Sequence, residues 1–359
     1  MINQNRTKLL FFGFLIFIAL IASVITLENS AINIKQESIN EVKTRIVLPE
    51  EASVRKGQHL LLSDSPEFSA SQYTSSHSFE LVSEMKKEYS LSDDESFKYY
   101  INDDKSTIIK GKYVIDTTDK SNKVTFIALQ GNSSALVRLE NDVEWYSSLN
   151  ITYPANSTLV LPIEIKWDPQ GEEELTIFPL KHENPDFYNG ANLGLLRYLV
   201  LNNVDEAIPQ SMVNSQVNIN SSLLNKKGIS YFPVPSWYDP TNNKIKLVLN
   251  EGRLLSNKQP STLTLASLPY STMVDMIMID EFGKVILVNS NIQVKEDQIT
   301  NITLPDKTLN MLNQGNQRKF VILLNNRSRE MLADMMAIKQ LGKAYPTTFQ
   351  LVIEYYKTL

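Results

Sequence analysis

The residue types that carry most enzyme chemistry are scarce in this chain and are not spaced for it. Of its 359 residues only three are histidines, and His59, His77 and His182 form no H-E-x-x-H metal motif. Cysteine is absent, which excludes a thiolate metal site, a cysteine nucleophile and a disulfide framework. For serine catalysis, neither G-x-S-x-G nor S-x-x-K with its partner motifs occurs. The sequence therefore predicts no metal, no cofactor and no catalytic residue.

Acidic residues cluster at three places where a carboxylate pair could in principle act: Asp93–Glu95, Asp103–Asp104 and Glu172–Glu174. Glycoside hydrolysis needs two carboxyl groups across a cleft, one of them with a raised pKa. Adjacent acids in a loop point apart and stay solvated, so charged turns are the favoured interpretation. A hydrolase with a carboxylate pair from distant loops stays open, because sequence spacing cannot reveal it.

Calcium binding is the third chemistry to consider, at Asp239, Thr241 and Asn243. Oxygen-bearing side chains at alternate positions are what a calcium loop supplies. The glycine and the distal glutamate of such a loop are missing, so a simple turn is favoured here.

The most site-like stretch is Tyr231–Pro240 (YFPVPSWYDP), which combines three prolines with aromatic residues. Proline stiffens the backbone, and flat aromatic faces suit sugar stacking or protein contact. Tyr231, Trp237 and Tyr238 are therefore the candidate contact residues for an envelope polymer or a protein partner. The same residue types also fill the rims of β-sandwiches, so packing is the favoured interpretation and ligand contact is the alternative.

The N-terminal segment predicts where these residues are displayed. Residues Met1–Lys8 are polar, and Leu9–Leu27 is an apolar run whose polar members are Ser23 and Thr26. At about 1.5 Å per residue this run spans about 28 Å, close to the hydrocarbon core of a bilayer. It is longer than a secretory signal and lacks a good cleavage site. We expect an uncleaved signal-anchor helix whose partner is the lipid bilayer; secretion after cleavage is the alternative.

Basic residues before the apolar run favour a cytoplasmic tail over residues 1–8 and an exported C-terminal part. A polar stalk over residues 28–43 follows the predicted helix. Beyond it, short β-branched and aromatic-rich runs alternate with clusters of Asn, Asp, Ser, Gly and Pro, which indicates a mainly β protein. A break at His182–Asn192 separates two predicted β-sandwich-like (Ig-like) domains, 44–183 and 184–359.

The strand prediction is specific enough to test. The predicted strands are Thr44–Leu48, Thr107–Ile115, Lys123–Leu129, Ala135–Leu139, Leu149–Tyr153, Thr158–Ile165, Glu174–Phe178, Leu193–Leu201, Ile229–Val234, Lys244–Leu249, Thr262–Leu268, Val274–Asp280, Lys284–Val288, Thr300–Leu304, Lys319–Leu324 and Thr348–Tyr356. Apolar residues at 3–4 spacing predict a short helix over Phe79–Tyr89 and a late α-helix over Arg327–Gly342 in the second domain. Trp167 is expected at a sandwich rim.

Charge narrows the class of partner. The formal net charge is −5, and Lys and Arg are scattered, so no nucleic-acid partner is expected. The sequence predicts a single-pass membrane protein, not an enzyme, with a binding or structural role in the cell envelope. The alternatives are the envelope hydrolase above and an accessory subunit of a membrane complex. In the latter, small residues of the anchor such as Gly13 and Ala19 would allow close helix packing.

Overall fold

The protein is built mainly of short β-strands. A computed structural model of the chain describes residues 42–57, 75–82, 87–90, 98–102, 106–117, 122–181, 196–202, 221–223, 226, 235–246, 248–250, 253–256, 258–313, 319–324 and 350–357. The strands of the first half are β1 (Thr44–Val47), β2 (Ser53–Lys56), β3 (Ser75–Leu81), β4 (Lys87–Ser90), β5 (Lys98–Asn102), β6 (Ile108–Thr117), β7 (Asn122–Gln130), β8 (Ser133–Ala135), β9 (Val137–Leu139), β10 (Ser148–Tyr153), β11 (Ser157–Lys166), β12 (Glu174–Lys181) and β13 (Leu196–Asn202). Those of the second half are β14 (Pro235–Tyr238), β15 (Val248–Asn250), β16 (Arg253–Ser256), β17 (Thr262–Leu265), β18 (Thr272–Asp280), β19 (Val285–Val294), β20 (Thr300–Thr303), β21 (Lys319–Leu324) and β22 (Gln350–Lys357).

The described strands pair into four sheets. Sheet I has the order β1-β10-β7-β12-β13-β5-β4, with β8 also on β7, and sheet II has the order β2-β11-β6-β3, with β9 on β11. Sheet III has the order β15-β16-β22-β21-β18-β19, and sheet IV is β14-β17-β20. Most neighbours are antiparallel, the exceptions being β1 with β10, β5 with β13 and β16 with β22. The mainly β prediction is confirmed, and the packing of sheets in pairs is consistent with β-sandwiches.

Sheets I and II enclose the first apolar core. Val124 and Phe126 of β7 face Leu159 and Leu161 of β11, and each is at most 2% exposed. Successive side chains of a strand point to opposite faces, which is why alternate residues enter this core. Trp167 also lies in it, and its indole N–H donates to Oδ1 of Asn202 at 3.0 Å. The expected rim position of Trp167 is wrong, because that hydrogen bond satisfies the indole inside the core.

Sheets III and IV enclose the second core. Val274 and Met276 of β18 pack with Leu263 of β17 and Ile302 of β20, all of them buried. A short helix, α1 (Asp306–Asn313), follows β20 and buries Leu312 against the same cluster. Its position differs from that of the predicted late helix, Arg327–Gly342, which lies outside the described residues.

A third apolar layer joins sheet I to sheet III; its residues are here called the seam. The seam consists of Ile127, Leu129, Phe178, Leu180, Ile277, Ile279, Phe320, Ile322 and Leu324. The rings of Phe178 and Phe320 meet edge to face, with centroids 5.4 Å apart. The central strands of sheets I and III (β7 and β12, and β18 and β21) are therefore covered on both faces, and the layer order is II, I, III, IV. This burial accounts for the unbroken apolar run of β21, since both faces of a strand in such a sheet meet a core.

Polar contacts flank the seam. Nδ2 of Asn132 donates to Oδ2 of Asp275 at 2.8 Å, and the Ser148 hydroxyl donates to the carbonyl of Phe282 at 3.2 Å. Gly283 adopts a φ of +87° in the turn between β18 and β19, and a Cβ there would lie 2.9 Å from that of Ser148. Glycine is thus required both by the turn and by its close approach to sheet I.

Three further predictions have outcomes. The helix predicted over Phe79–Tyr89 is wrong. Phe79 belongs to β3 and packs against Phe126, with ring centroids 6.0 Å apart. Lys87–Ser90 is a strand. The strand predicted to open the second domain is β13, and it pairs with β12 of sheet I. The boundary at 183/184 falls outside the described residues and stays a prediction, while Lys43–Leu359 forms one compact unit.

The predicted anchor, Leu9–Leu27, also lies outside the described residues. Among the residues that are described, no helix has the length and apolar character needed to cross a bilayer.

Candidate functional site

The predicted aromatic segment divides between the core and the surface. Trp237 is 4% exposed and packs in the core between sheets III and IV, whereas Tyr238 is partly exposed. Both belong to β14, so the alternation of side chains sends neighbouring residues to opposite faces. Tyr231 lies outside the described residues. Of the three candidate contact residues, Tyr238 is the one that the structure places on an outer surface.

Tyr238 shares that surface with five other side chains. Register pairs Ser236 of β14 with Thr264 of β17, and Thr264 in turn with Asn301 of β20. A second row runs in parallel from Tyr238 through Thr262 to Thr303. These six residues form the outer face of sheet IV and are here called the polar face: Ser236, Tyr238, Thr262, Thr264, Asn301 and Thr303. The residues between them, Trp237, Leu263 and Ile302, fill the core beneath.

Every member of the polar face carries a neutral hydrogen-bonding group. Four are hydroxyls, one is a phenol and one is an amide, and each is partly or fully exposed. The Thr264 hydroxyl donates to Oδ1 of Asn301 at 2.8 Å, which orients that amide. The Tyr238 carbonyl accepts from the amide and hydroxyl of Ser261, at 2.8 Å and 3.1 Å. These six side chains are neutral donors and acceptors, and the exposed Lys244, which pairs with Tyr238 in an antiparallel bridge, brings a positive charge beside them.

A hydrogen-bonded turn, which contains the sequence-predicted calcium candidates, follows Tyr238. Oδ1 of Asp239 accepts from the amide of Asn243 at 2.8 Å and from the hydroxyl and amide of Thr241 at 2.7 Å and 3.0 Å. These bonds lower the pKa of Asp239, the amide of Asn243 having the largest effect. The carboxylate closes a turn in which Asn242 has a φ of +61°. Across the described residues, no cluster of three or more histidine or acidic ligands is arranged to hold a metal.

The outer face of sheet II has the opposite chemistry. Glu164 is 3% exposed and ion-paired to Arg138 at 2.6 Å and to Lys110 at 3.2 Å. The guanidinium of Arg138 also lies 4.3 Å from the centroid of the Trp145 ring. On this face the positive charges of Lys110 and Arg138 pair with the carboxylate of Glu164. That carboxylate is therefore bound to cations on the same surface.

The acidic cluster Glu172–Glu174 is partly buried, contrary to the expectation of a solvated turn. Glu174 is 1% exposed at the start of β12 and forms an ion pair with Arg197 of β13. Oε1 of Glu173 accepts the backbone N–H of Asn202 at 3.2 Å. The sequence held no signal for these contacts, since the partners are more than twenty positions away on another strand. Asp93–Glu95 and Asp103–Asp104 lie outside the described residues.

Comparison with known proteins adds little to this geometry. No protein-family model matches the chain, and no curated protein matches it. Among solved structures, the adhesin domain of Epf from Streptococcus pyogenes is 12% identical and aligns over 79% of this chain and 92% of its own. Its TM-score is 0.17, which does not establish a shared fold.

Proposed function

We propose that this chain is a single-pass, membrane-anchored protein with a non-enzymatic binding or structural role outside the cytoplasm, in the cell envelope. The observation that carries the proposal is the layered body: the central strands of sheets I and III are covered on both faces, so solvent-accessible side chains such as Lys112 and Tyr238 lie on the outer faces of sheets II and IV. A stack of this kind, built as two β-sandwich-like (Ig-like) domains, is suited to holding a surface at a fixed distance from a tether. The tether in the proposal is the apolar run Leu9–Leu27.

The ion pairs favour a binding or structural role over hydrolysis. The buried carboxylates Glu164 and Glu174 each contact an arginine. Each of these carboxylates is engaged by a cation of its own sheet, whereas glycoside hydrolysis needs two carboxyl groups that face a substrate across a cleft. Turnover of an envelope polymer by the purified full-length chain would contradict the non-enzymatic part of the proposal.

The location is tested with the full chain carrying a C-terminal epitope tag. The tag is expected to be removed by protease added to intact cells, and the chain is expected to stay in the membrane fraction after an alkaline wash. Protection of the tag in intact cells would overturn the proposed topology. A shortened chain in the medium would replace the anchor with a cleaved signal peptide.

A further inference from the structure

We infer that strand β1 is a mechanical clamp, which resists tension on the N-terminal tether by bearing it along the length of the strand. The inference concerns how the tethered role proposed above is performed, and it rests on that role. Its starting point is position: the compact unit begins at Lys43, and β1 begins at Thr44. Any force that the predicted anchor exerts through the chain therefore reaches the body first at β1.

The direction of β1 decides how that force is borne. β1 runs parallel to β10, with Thr44 opposite Ser148 and Val47 opposite Ile151. The tether enters at the Thr44 end, and the turn that follows β10 lies beyond the Val47 end. A pull on the tether against a body held at that turn runs along both strands. The evenly spaced hydrogen bonds of the parallel pair are then loaded together and not one after another.

One side of β1 is held by an ion pair and by the first core. Nε of Arg45 donates to Oδ2 of Asp142 at 2.6 Å, and Nη2 of Arg45 lies 2.9 Å from Oε2 of Glu51. The side chains of Arg45 and Asp142 are 21% and 19% exposed, so solvent screens this pair less than it screens a surface pair. Val47 points to the same side and is fully buried in the first core. Sliding β1 along β10 would break these contacts as well as the backbone bonds.

The other side of β1 is bound to the second half of the chain. Oγ1 of Thr44 lies 3.0 Å from Oγ of Ser148 and donates to the carbonyl of Phe282 at 3.4 Å. A short 3-10 helix, Pro49–Glu51, then leads into β2, which pairs with β11 of sheet II. Tension that enters at β1 is therefore passed to sheet I, to sheet II and to the turn between β18 and β19.

The test applies constant force to the purified full-length chain with magnetic tweezers. The chain has no cysteine, so each introduced cysteine is a unique handle. One handle is Asn40→Cys in the predicted stalk. The second is either Ala155→Cys, exposed in the turn after β10, or Gln170→Cys, exposed in the turn before β12. Register places the start of β12 at the same end of sheet I as the start of β1, so the second pair of handles pulls across the strands from the tethered end.

We expect the rate of the first extension step to depend on the direction of the pull. With the handle at position 155 the step should be roughly tenfold slower, or slower still, than with the handle at position 170, because the contacts of β1 must break together.

Two variants of β1 test the side-chain contacts. Arg45→Met should accelerate the first step of the pull along the strands roughly tenfold. Thr44→Val, which keeps side-chain shape and strand propensity, should accelerate it roughly fivefold. Both effects should be smaller with the handle at position 170, where the contacts break in turn. Lys226→Met removes an ion pair with Asp297 in the second half of the chain and should leave the rate unchanged.

All variants should keep the wild-type circular dichroism spectrum. The inference is overturned if the two directions of pull give the same rate, if both β1 variants extend like the wild type, or if Lys226→Met accelerates the step as much as Arg45→Met does.

These outcomes are separable from those for the proposed function, because the force is applied to the purified chain. Equal rates in the two directions, in a chain that is membrane-bound and protease-accessible, would refute the clamp and leave the location intact. A rate that depends on direction, in a chain whose tag proves to be protected inside the cell, would refute the location and leave the mechanical property of β1 intact.

Discussion

At the scale of single residues, neighbours in sequence have unrelated roles, because strand geometry separates them. Trp237 fills a core and Tyr238 faces outward, although both have the aromatic character that marked the segment as a candidate site. The sequence could identify Tyr238 as a candidate. It could not identify Thr264 or Asn301 as its neighbours on one surface, because the register that joins them spans three strands distant in sequence.

The ion pair between Arg138 and Glu164 provides a prediction at this scale. Arg138→Met should lower the free energy of unfolding by about 2–4 kcal/mol, because it leaves a buried carboxylate with one partner fewer. Lys43→Met provides a matched control, since Lys43 pairs with the Glu144 side chain, which is 60% exposed. Its effect should be clearly smaller than that of Arg138→Met, because an exposed ion pair is screened by solvent. Urea denaturation measures both, and equal losses in the two variants would contradict the assigned role of burial.

At the scale of elements, the strands were largely predictable and their neighbours were not. Segments such as Lys319–Leu324 and Glu174–Phe178 are rich in β-branched or aromatic residues and are separated from their neighbours by turn-forming residues. The corresponding strands are confirmed. The helix predicted over Phe79–Tyr89 is wrong. Phe79 fits a helical spacing in the sequence, but in the structure it belongs to a strand and packs against Phe126. Pairing of β13 with β5, about a hundred positions apart in the chain, depends on packing that local pattern does not encode.

The turn after β14 gives a prediction that depends on pH. The pKa of Asp239 lies below its ordinary value of 3.8 in the folded chain, owing to hydrogen bonds from Asn243 and Thr241. Its contribution to stability is therefore present above pH 3.8 and is lost as pH falls through the folded pKa. Asp239→Asn should destabilise the protein at about pH 6 and make less difference at about pH 3. Thr241→Val should remove part of the same pH dependence of stability. If Asp239→Asn destabilised the protein equally at about pH 6 and at about pH 3, the assignment to Asp239 would be contradicted.

At the scale of the whole molecule, the seam makes the two halves one body. Nine buried apolar side chains meet there, each contributing about 1.5–3 kcal/mol by burial. Even after allowance for a compact unfolded state, the total is on the order of 10 kcal/mol, comparable with the stability of an entire domain. The sequence predicts two domains but could not predict the seam, because a continuous apolar run along a strand shows that both of its faces are buried without showing what covers each face.

The seam therefore predicts a single unfolding transition, which the tryptophans can report. Trp167 lies in the core between sheets I and II, and Trp237 lies in the core between sheets III and IV. A variant with Trp145→Phe and Trp237→Phe reports the first core, and one with Trp145→Phe and Trp167→Phe reports the second. In each, the urea midpoint from fluorescence should coincide with that from circular dichroism of the whole chain. Adding Phe178→Asp places a charge in the seam, at a position that is fully buried, and should separate the two midpoints because the halves lose their shared surface. Separate midpoints without Phe178→Asp would mean that the halves fold independently, and that the polar face is carried by a module that can turn relative to its tether.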